Sequence, residues 1–403
     1  MRRLRTGAAL AALLISAPVG ASFTETLPQG MFMLEEAFVL SYVDTMWDND
    51  GEPGALVEEM VRYEPGGGLQ GVLTPRPEAY YYVLITKLQY GILDDLSLGI
   101  GIPVVIRTEV DPNFGWTPGD YQRQIGRSYS EDDFWAWAGS MGQQKPGSWT
   151  GNKGVLSDVV LGLRYRWTHR IPALREIGLS GALSIMAALP TGEPADPEEP
   201  VSVGTTLWDM HTQGDLCFHL GFEQRFEDAL DDRLRIGLEG FYQIFFDRRR
   251  SAPKGEKHPL LLNQAPYVGE RYTVNPGDFA GVSLELTVVP YKGPAWGTWL
   301  SDDDPDKAAA LPPILSFMVR YTFMHLQQSD WMSDFPLWDY EREQVWASGY
   351  KNMLFGEIAI SLFRLGVPLQ VFASYNSLTW IPGKNARAPD IFMTGLRIPA
   401  KFW

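Results

Sequence analysis

The chain is patterned for strands. The stretch GVLSDVVLGLRYRW at 154–167 is the clearest case: Val159, Leu161, Leu163, Tyr165 and Trp167 alternate with Asp158, Gly162, Arg164 and Arg166. Strict alternation gives a strand two unlike faces. In a soluble sandwich the leucines would face a core and the arginines water. In a membrane barrel the leucines would face lipid and the arginines the lumen. Both readings fit these residues.

The same period recurs. In 232–247, Leu234, Ile236, Leu238, Tyr242 and Ile244 alternate with Arg233, Arg235, Glu239, Gln243 and Asp247. In 277–291, Val282, Leu284, Leu286 and Val288 oppose Ser283, Glu285 and Thr287, and in 311–326, Leu315, Phe317, Val319 and Tyr321 oppose Ser316, Arg320 and Thr322. Twelve segments read as strands: 29–47, 78–92, 95–109, 153–169, 175–190, 212–227, 232–247, 277–291, 311–326, 350–364, 367–380 and 390–402. Short connections follow the second, fourth, sixth and tenth, and long ones span 48–77, 110–152, 191–211, 248–276 and 327–349. An outer-membrane barrel separates its loops this way, and an even strand count suits it. The segment 292–310 departs from the rule, being long where a short turn is expected.

The N-terminus bears on the compartment. MRRLRTG is basic, AALAALLISAPVG is a short apolar run, and Val19-Gly20-Ala21 is a small-residue cleavage pattern. Residues 1–21 therefore read as a secretory signal peptide cut after Ala21. Beyond it, no apolar run approaches the ~18 residues of a membrane helix, and mean hydropathy is only −0.14. The 14 Trp, 17 Tyr and 20 Phe suit aromatic girdles at a membrane interface, although a carbohydrate-binding surface would use them too. Without residues 1–21 the chain carries 31 basic and 49 acidic residues, a net −18, which argues against a nucleic-acid partner. The single Cys217, between Leu216 and Phe218, excludes an intramolecular disulfide and reads as a packed thiol. The chain ends in KFW, an aromatic end of the kind barrel-assembly machinery reads, although Trp403 is out of phase with Leu396, Ile398 and Phe402.

Two blocks resemble a known family. QYGILDDLSLGIGIPVV (89–105) looks like a hairpin whose Gly-rich second strand ends in Pro, and GVLSDVVLGLRYRW with IGLSGALSIMAALPTGEP (177–194) looks like a second one ending in Leu-Pro-Thr-Gly. Together they resemble the outer-membrane channel family named after the meta-pathway of phenol degradation. The family pattern often has Gly-Asp where this chain has Ser157-Asp158. The resemblance implies a barrel that admits hydrophobic or aromatic compounds. It implies no catalytic residues.

Catalytic and metal motifs are weak. The five histidines, His169, His211, His219, His258 and His325, form no His-x-Ser pair, and only His219 shares a phase with strand-lining polar groups. Asp302, Asp303, Asp304 and Asp306 lack the Gly and distal Glu of a calcium loop, and Gly66-Gly67-Gly68 lacks the Lys-Ser/Thr of a phosphate cradle. No enzyme activity, metal or cofactor is expected. If the apolar series faces lipid, the lumen receives Asp158, Arg164, Arg166, His219, Glu223, Arg225, Arg233, Arg235, Glu239, Asp247, Glu285, Arg320 and Glu357. These side chains would line a polar channel or fill a narrow barrel with ion pairs. Trp116, Trp135, Trp137 and Trp149 in 110–152 are candidates for a gating loop, or for a loop packed on itself.

The expected fold is an all-β, transmembrane, antiparallel up-and-down barrel of about twelve strands. It would lie in a Gram-negative outer membrane, with lipid, a small-molecule solute and the assembly machinery as partners, and pass small hydrophobic or aromatic solutes. The alternatives are a non-transporting barrel with partner- or surface-binding loops and a secreted carbohydrate-binding sandwich.

Overall fold

The structure, a computed structural model, describes residues 24–401 except 49, 57–58, 122–125, 141–144, 146, 152–153, 193–214, 227–229, 231–232, 252–270, 276, 293–311, 329 and 334–347. The proposed signal peptide, the acidic run at 302–306, His211, His258 and Trp403 lie outside the described residues.

Twelve antiparallel strands close into one barrel. They are β1 (Met31–Val43), β2 (Leu69–Leu93), β3 (Leu96–Pro118), β4 (Val160–Tyr165), β5 (Leu179–Ala188), β6 (Asp215–Arg225), β7 (Leu234–Phe245), β8 (Phe279–Tyr291), β9 (Leu315–Leu326), β10 (Gly349–Ser361), β11 (Gln370–Ser377) and β12 (Asp390–Lys401). Each pairs with its sequence neighbours, and the first and last strands close the ring, from Met31 opposite Lys401 to Tyr42 opposite Asp390. Closure removes the unpaired sheet edges that a bilayer would not tolerate. It also excludes a two-sheet sandwich. The described segments before β1 and at the end of β12 lie at the end of the barrel that carries the short turns.

The phase of each strand decides its faces. Leu163, Leu183, Leu238, Leu284, Val319 and Ile360 are apolar side chains left exposed on the outer wall, Leu284 at 52%. On the same strands Ser184, Glu239, Glu285, Arg320 and Glu357 are buried. A soluble barrel would reverse this arrangement; an apolar outer band around a polar interior is what lipid contact requires.

Three boundaries differ from the sequence reading. β2 and β3 run 25 and 23 residues and pair from Leu93–Leu96 to Gly71–Pro118, so much of the expected loops is a projecting hairpin. Its prolines obscured it: Pro77 faces Pro112, and Pro cannot donate to a ladder. Beyond the barrel the hairpin needs fewer partners, and those prolines are tolerated. Conversely, β4 keeps only six residues of the expected strand at 153–169. Val155–Leu156 still pair with Val105 and Val104 of β3 as a separate two-residue strand; after it the Ser157 amide donates to the Pro103 carbonyl, and the Asp158 carboxylate accepts from the Gly192 amide. At the other end, Trp167–Arg170 is a single 3-10 turn followed by a short helix, Pro172–Glu176. Pro172 occupies the first turn of that helix, where a missing N–H costs nothing.

Candidate functional site

The lumen has three tiers. At the long-loop end it is apolar: Phe245, Phe279, Met324, Leu326 and Met353 form a buried cluster with Phe241 against it. Trp47, Leu378, Ala386 and Ala388 from the loops join the cluster, and the Trp47 indole N–H donates to the Leu378 carbonyl at 2.8 Å. A second apolar patch, including Val39, Val83, Ile85, Ile391 and Met393, lines the wall around the β1–β12 closure. Phe241 lies against the wall because its register partner is Gly281, whose missing Cβ leaves room for the ring.

Below lies a belt of paired charges, assembled by register. Arg397 is 2% exposed and stands opposite Glu35 on β1 and Gln370 on β11. Its guanidinium donates to Glu35 at 2.9 Å, to Glu357 at 3.0 and 3.2 Å and to Gln370 at 3.0 Å, and stacks on Phe372 at 3.9 Å. Lys87, opposite Glu35 from the β2 side, approaches it at 3.6 Å. Further round, Arg320 faces Glu285 and bonds it at 2.6 Å. His219 joins Glu239 through Nδ1 at 3.0 Å and Cys217 Sγ through Nε2 at 3.0 Å, and stacks on Phe241. Arg164 faces Ser184 and donates to its hydroxyl at 2.9 Å. Burying one such charge alone would cost several kcal/mol; pairing across adjacent strands offsets it.

The third tier is the mouth at the short-turn end. Arg225 stands directly opposite Arg235. Glu25, ahead of β1, puts one carboxylate oxygen between them, 2.9 Å from Arg225 and 3.0 Å from Arg235. Arg225 also donates to Glu223 at 2.8 Å. The segment is tied down by the Thr26 hydroxyl on the Asp94 carbonyl, the Leu27 amide on the Ser97 hydroxyl and the Gln29 amide on the Asp94 carboxylate. Burial works against the charge of Glu25, but Arg225, Arg235 and Arg166 outweigh it and hold the carboxyl below the usual glutamate range.

The sequence-derived lumen residues differ from these tiers at four positions. Asp247 is exposed beyond β7, where its carboxylate accepts from the Asn275 side chain at 2.9 Å. Asp158 is buried at the long-loop end as a latch for the Leu-Pro-Thr-Gly segment, with Thr191 accepting from the Val159 amide beside it. Arg233 is exposed in the turn before β7. Glu239 pairs with His219 rather than with an arginine across the hairpin, because its register partners are Gly221 and Ser283. Arg166 lies at the mouth, bonded to the Asp94 carbonyl at 3.1 Å and near His169 Nδ1 at 3.2 Å. Cys217 faces the lumen, with Leu216 and Phe218 on the outer side of its strand. The Arg397 network and Glu25 were not foreseen. Arg397 alternates with Leu396 and Ile398 and could have been placed from phase; Glu25 precedes any strand pattern.

The aromatic loop packs on the projecting hairpin. A helix, α1 (Glu131–Ser140), is closed at its start by a reciprocal pair: the Ser130 amide and hydroxyl donate to Asp133, and the Asp133 amide donates to Ser130. Arg127 hydrogen-bonds Asp133 and, with the Ser130 donors, holds its carboxyl well below the usual range. Phe134 of α1 is buried against Leu73, Trp116 and Trp135, and its ring meets Trp137 at 5.5 Å. Trp149 pairs in register with Val110 on β3.

Fold and lumen together define an outer-membrane-type β-barrel. The chain is similar in structure to the COG4313 outer membrane channel from Pseudomonas putida F1, with a TM-score of 0.54 and 10% identity over 95% of this chain and 99% of that one. Weaker likenesses, which carry no weight, are to the translocator domain of the autotransporter NalP from Neisseria meningitidis (TM-score 0.38, 10% identity, 97% and 94% covered) and the toluene transporter TbuX from Ralstonia pickettii (0.37, 11%, 94% and 90%). No family model matches the sequence, and no curated protein matches it either.

Proposed function

We propose that this chain is a Gram-negative outer-membrane channel for passive entry of small apolar or aromatic solutes, and a member of the family named after the meta-pathway of phenol degradation. The observation that carries the reading is the apolar upper lumen: Phe241, Phe245, Phe279, Met324 and Met353 face inward, where a water-filled general pore would carry polar side chains. The short turns and Glu25 then mark the periplasmic side. Export by residues 1–21 and insertion by the assembly machinery belong to the same reading. Selection comes from lumen width and lining, with the paired belt as the narrow zone. Twelve strands lie between small barrels filled by side chains and wide porins, which suits a narrow path.

The test is uptake of a radiolabelled monoaromatic hydrocarbon by Gram-negative cells whose own aromatic channels are deleted. Expression of this chain is expected to raise initial uptake above that of vector-only cells. Equal uptake, with the barrel present and folded in the outer membrane, overturns the reading.

A further inference from the structure

We infer that the extension of β7, β8 and β9 beyond the long-loop end of the barrel is a docking surface for the phosphate groups of an anionic glycolipid in the outer leaflet, with Arg248 and Arg250 as its cationic residues. The inference rests on the outer-membrane reading and its orientation, long loops outward, and not on what the lumen passes.

The extension is a three-stranded sheet, Arg248–Ser251, Arg271–Asn275 and Asp330–Met332. It continues the barrel wall in register. Gln243 pairs with Phe279 in the barrel and Arg248 with Val274 above it, five residues on along each strand. Phe279 pairs with Leu326 and Thr273 with Met332, six residues on along each. Gly277, with φ 77°, takes up the bend between the two sheets without adding a residue. Alternation therefore carries each face of the wall across the break. On β7, Leu238, Tyr242 and Phe246 are exposed on the outer wall, while Glu239, Gln243 and Phe245 are buried inside. By the same phase Arg248 and Arg250 fall on the outer face, and register puts Tyr272, Val274 and Trp331 with them.

The charges divide by face. The outer face of the extension carries two arginines and no carboxylate. The inner face is balanced: Asp247 and Asp330 flank Asn275 there, and Arg249 and Arg271 lie beyond them. Asp278, lower on the outer wall, is engaged by the Tyr242 hydroxyl at 2.5 Å and the Phe245 amide at 3.1 Å. His325 is exposed at that level on β9.

Height selects the ligand. Tyr242, Phe246, Tyr321 and Phe323 are exposed on the outer wall at this end, an aromatic belt where acyl chains give way to headgroups. A strand rises ~3.3 Å per residue, so Arg248 and Arg250 stand about 7 and 13 Å along the chain from Phe246, and less along the membrane normal after tilt. Lipid phosphates lie at this level. Residues 248–250 are the only three consecutive basic residues in the sequence. The rest of the chain is acidic, and an anionic lipid surface repels it. Guanidinium groups match phosphate geometry, and interfacial aromatics flank them on the same face.

Native mass spectrometry of the detergent-refolded barrel tests this. The probe is lipid A, a phosphorylated glycolipid, and its dephosphorylated form is the counterpart. The natural chain is expected to bind lipid A at least about tenfold more tightly than the dephosphorylated form. Arg248→Gln with Arg250→Gln is expected to weaken lipid A binding about 30-fold, at roughly fivefold per arginine beside an anionic surface. Arg249→Gln with Arg271→Gln removes the same charge from the inner face and is expected to change it less than about twofold. The heat-modifiable gel shift first shows that each barrel is closed. Should the outer pair fail it, Arg250→Gln alone replaces that variant, with about fivefold weakening expected. No loss from the outer-face variant, equal loss from the inner pair, or equal binding of the dephosphorylated lipid overturns the surface. Displacement of lipid A by an equal concentration of inorganic phosphate overturns it as well, since the ligand would then be a free anion. Hydrocarbon uptake in cells, with lipid A binding unchanged in the outer-face variant, removes the surface and leaves the channel reading. Weakened lipid A binding without uptake by the natural chain does the reverse.

Discussion

Arg397 offers the sharpest test of the lumen belt. Its guanidinium, Lys87, Glu35 and Glu357 form a neutral quartet of two cations and two anions, and Arg397 and Glu35 are each 2% exposed. Arg397→Gln removes one cation. Lys87 still faces Glu35, so the uncompensated charge falls on Glu357. Removing one member of a buried pair costs about 3–5 kcal/mol, against about 0–1 for an exposed one. Water entering the lumen would lower the cost, so the lower end, about 3 kcal/mol, is expected. That is roughly a 150-fold shift in the unfolding equilibrium, since each ~1.4 kcal/mol is tenfold. Glu357→Gln in the same chain restores neutrality, leaving Lys87 with Glu35. The double variant should recover at least ~1.5 kcal/mol relative to the sum of the singles, a coupling typical of contacting groups. The assay is urea unfolding of the barrel in lipid vesicles, followed by tryptophan fluorescence. A loss below ~1 kcal/mol for Arg397→Gln, or additive effects in the double variant, would refute the pairing argument.

Other consequences follow from the remaining tiers. Leu284→Arg places a charge on the outer wall and should cost about 2–4 kcal/mol in the same unfolding assay; an effect near zero would mean that this face is not in lipid. Glu25 carries a depressed carboxyl, so its contribution is complete above the ordinary glutamate range and disappears as pH falls through its lower value in the folded chain. The groups facing it are Arg164, Arg166, Arg225 and Arg235, with Glu223 and Asp94 nearby. Amide exchange at residues 24–30 should therefore be flat from about pH 7 to 5 and accelerate only below about pH 4, after correction for the intrinsic rate. Phe134→Ala should loosen α1 by about 3–5 kcal/mol, raising amide exchange at 131–140 while leaving the gel shift of the barrel unchanged.

The strand faces were legible because lipid and lumen impose opposite demands on alternate residues. Leu284 and Glu285, or Val319 and Arg320, declare their sides from polarity alone. Partners were not legible, because a pair depends on register. Shifting β7 against β6 by two residues keeps every face but changes which residues meet, and nothing local in 232–247 assigns Glu239 to His219 rather than to an arginine. The projecting hairpin was hidden for a different reason: Pro75, Pro77, Pro112 and Pro118 read as loop residues until their pairing outside the membrane is known. Ser157-Asp158, where the sequence departs from the family pattern, and Leu-Pro-Thr-Gly, read as a mark of it, are joined in space as a latch holding two loop entries together. Glu25 had no pattern to place it, since its role depends on two arginines 200 and 210 residues away.

Single-channel current across planar bilayers tests the central claim most directly. The claim is that the lumen is a passage narrowed by its paired belt. The natural chain should give discrete, small unit steps. The Glu285→Ala, Arg320→Ala double variant removes a register-matched pair without stranding either charge, and its unit step should be larger. No step current from either protein, with both barrels folded, would contradict the account.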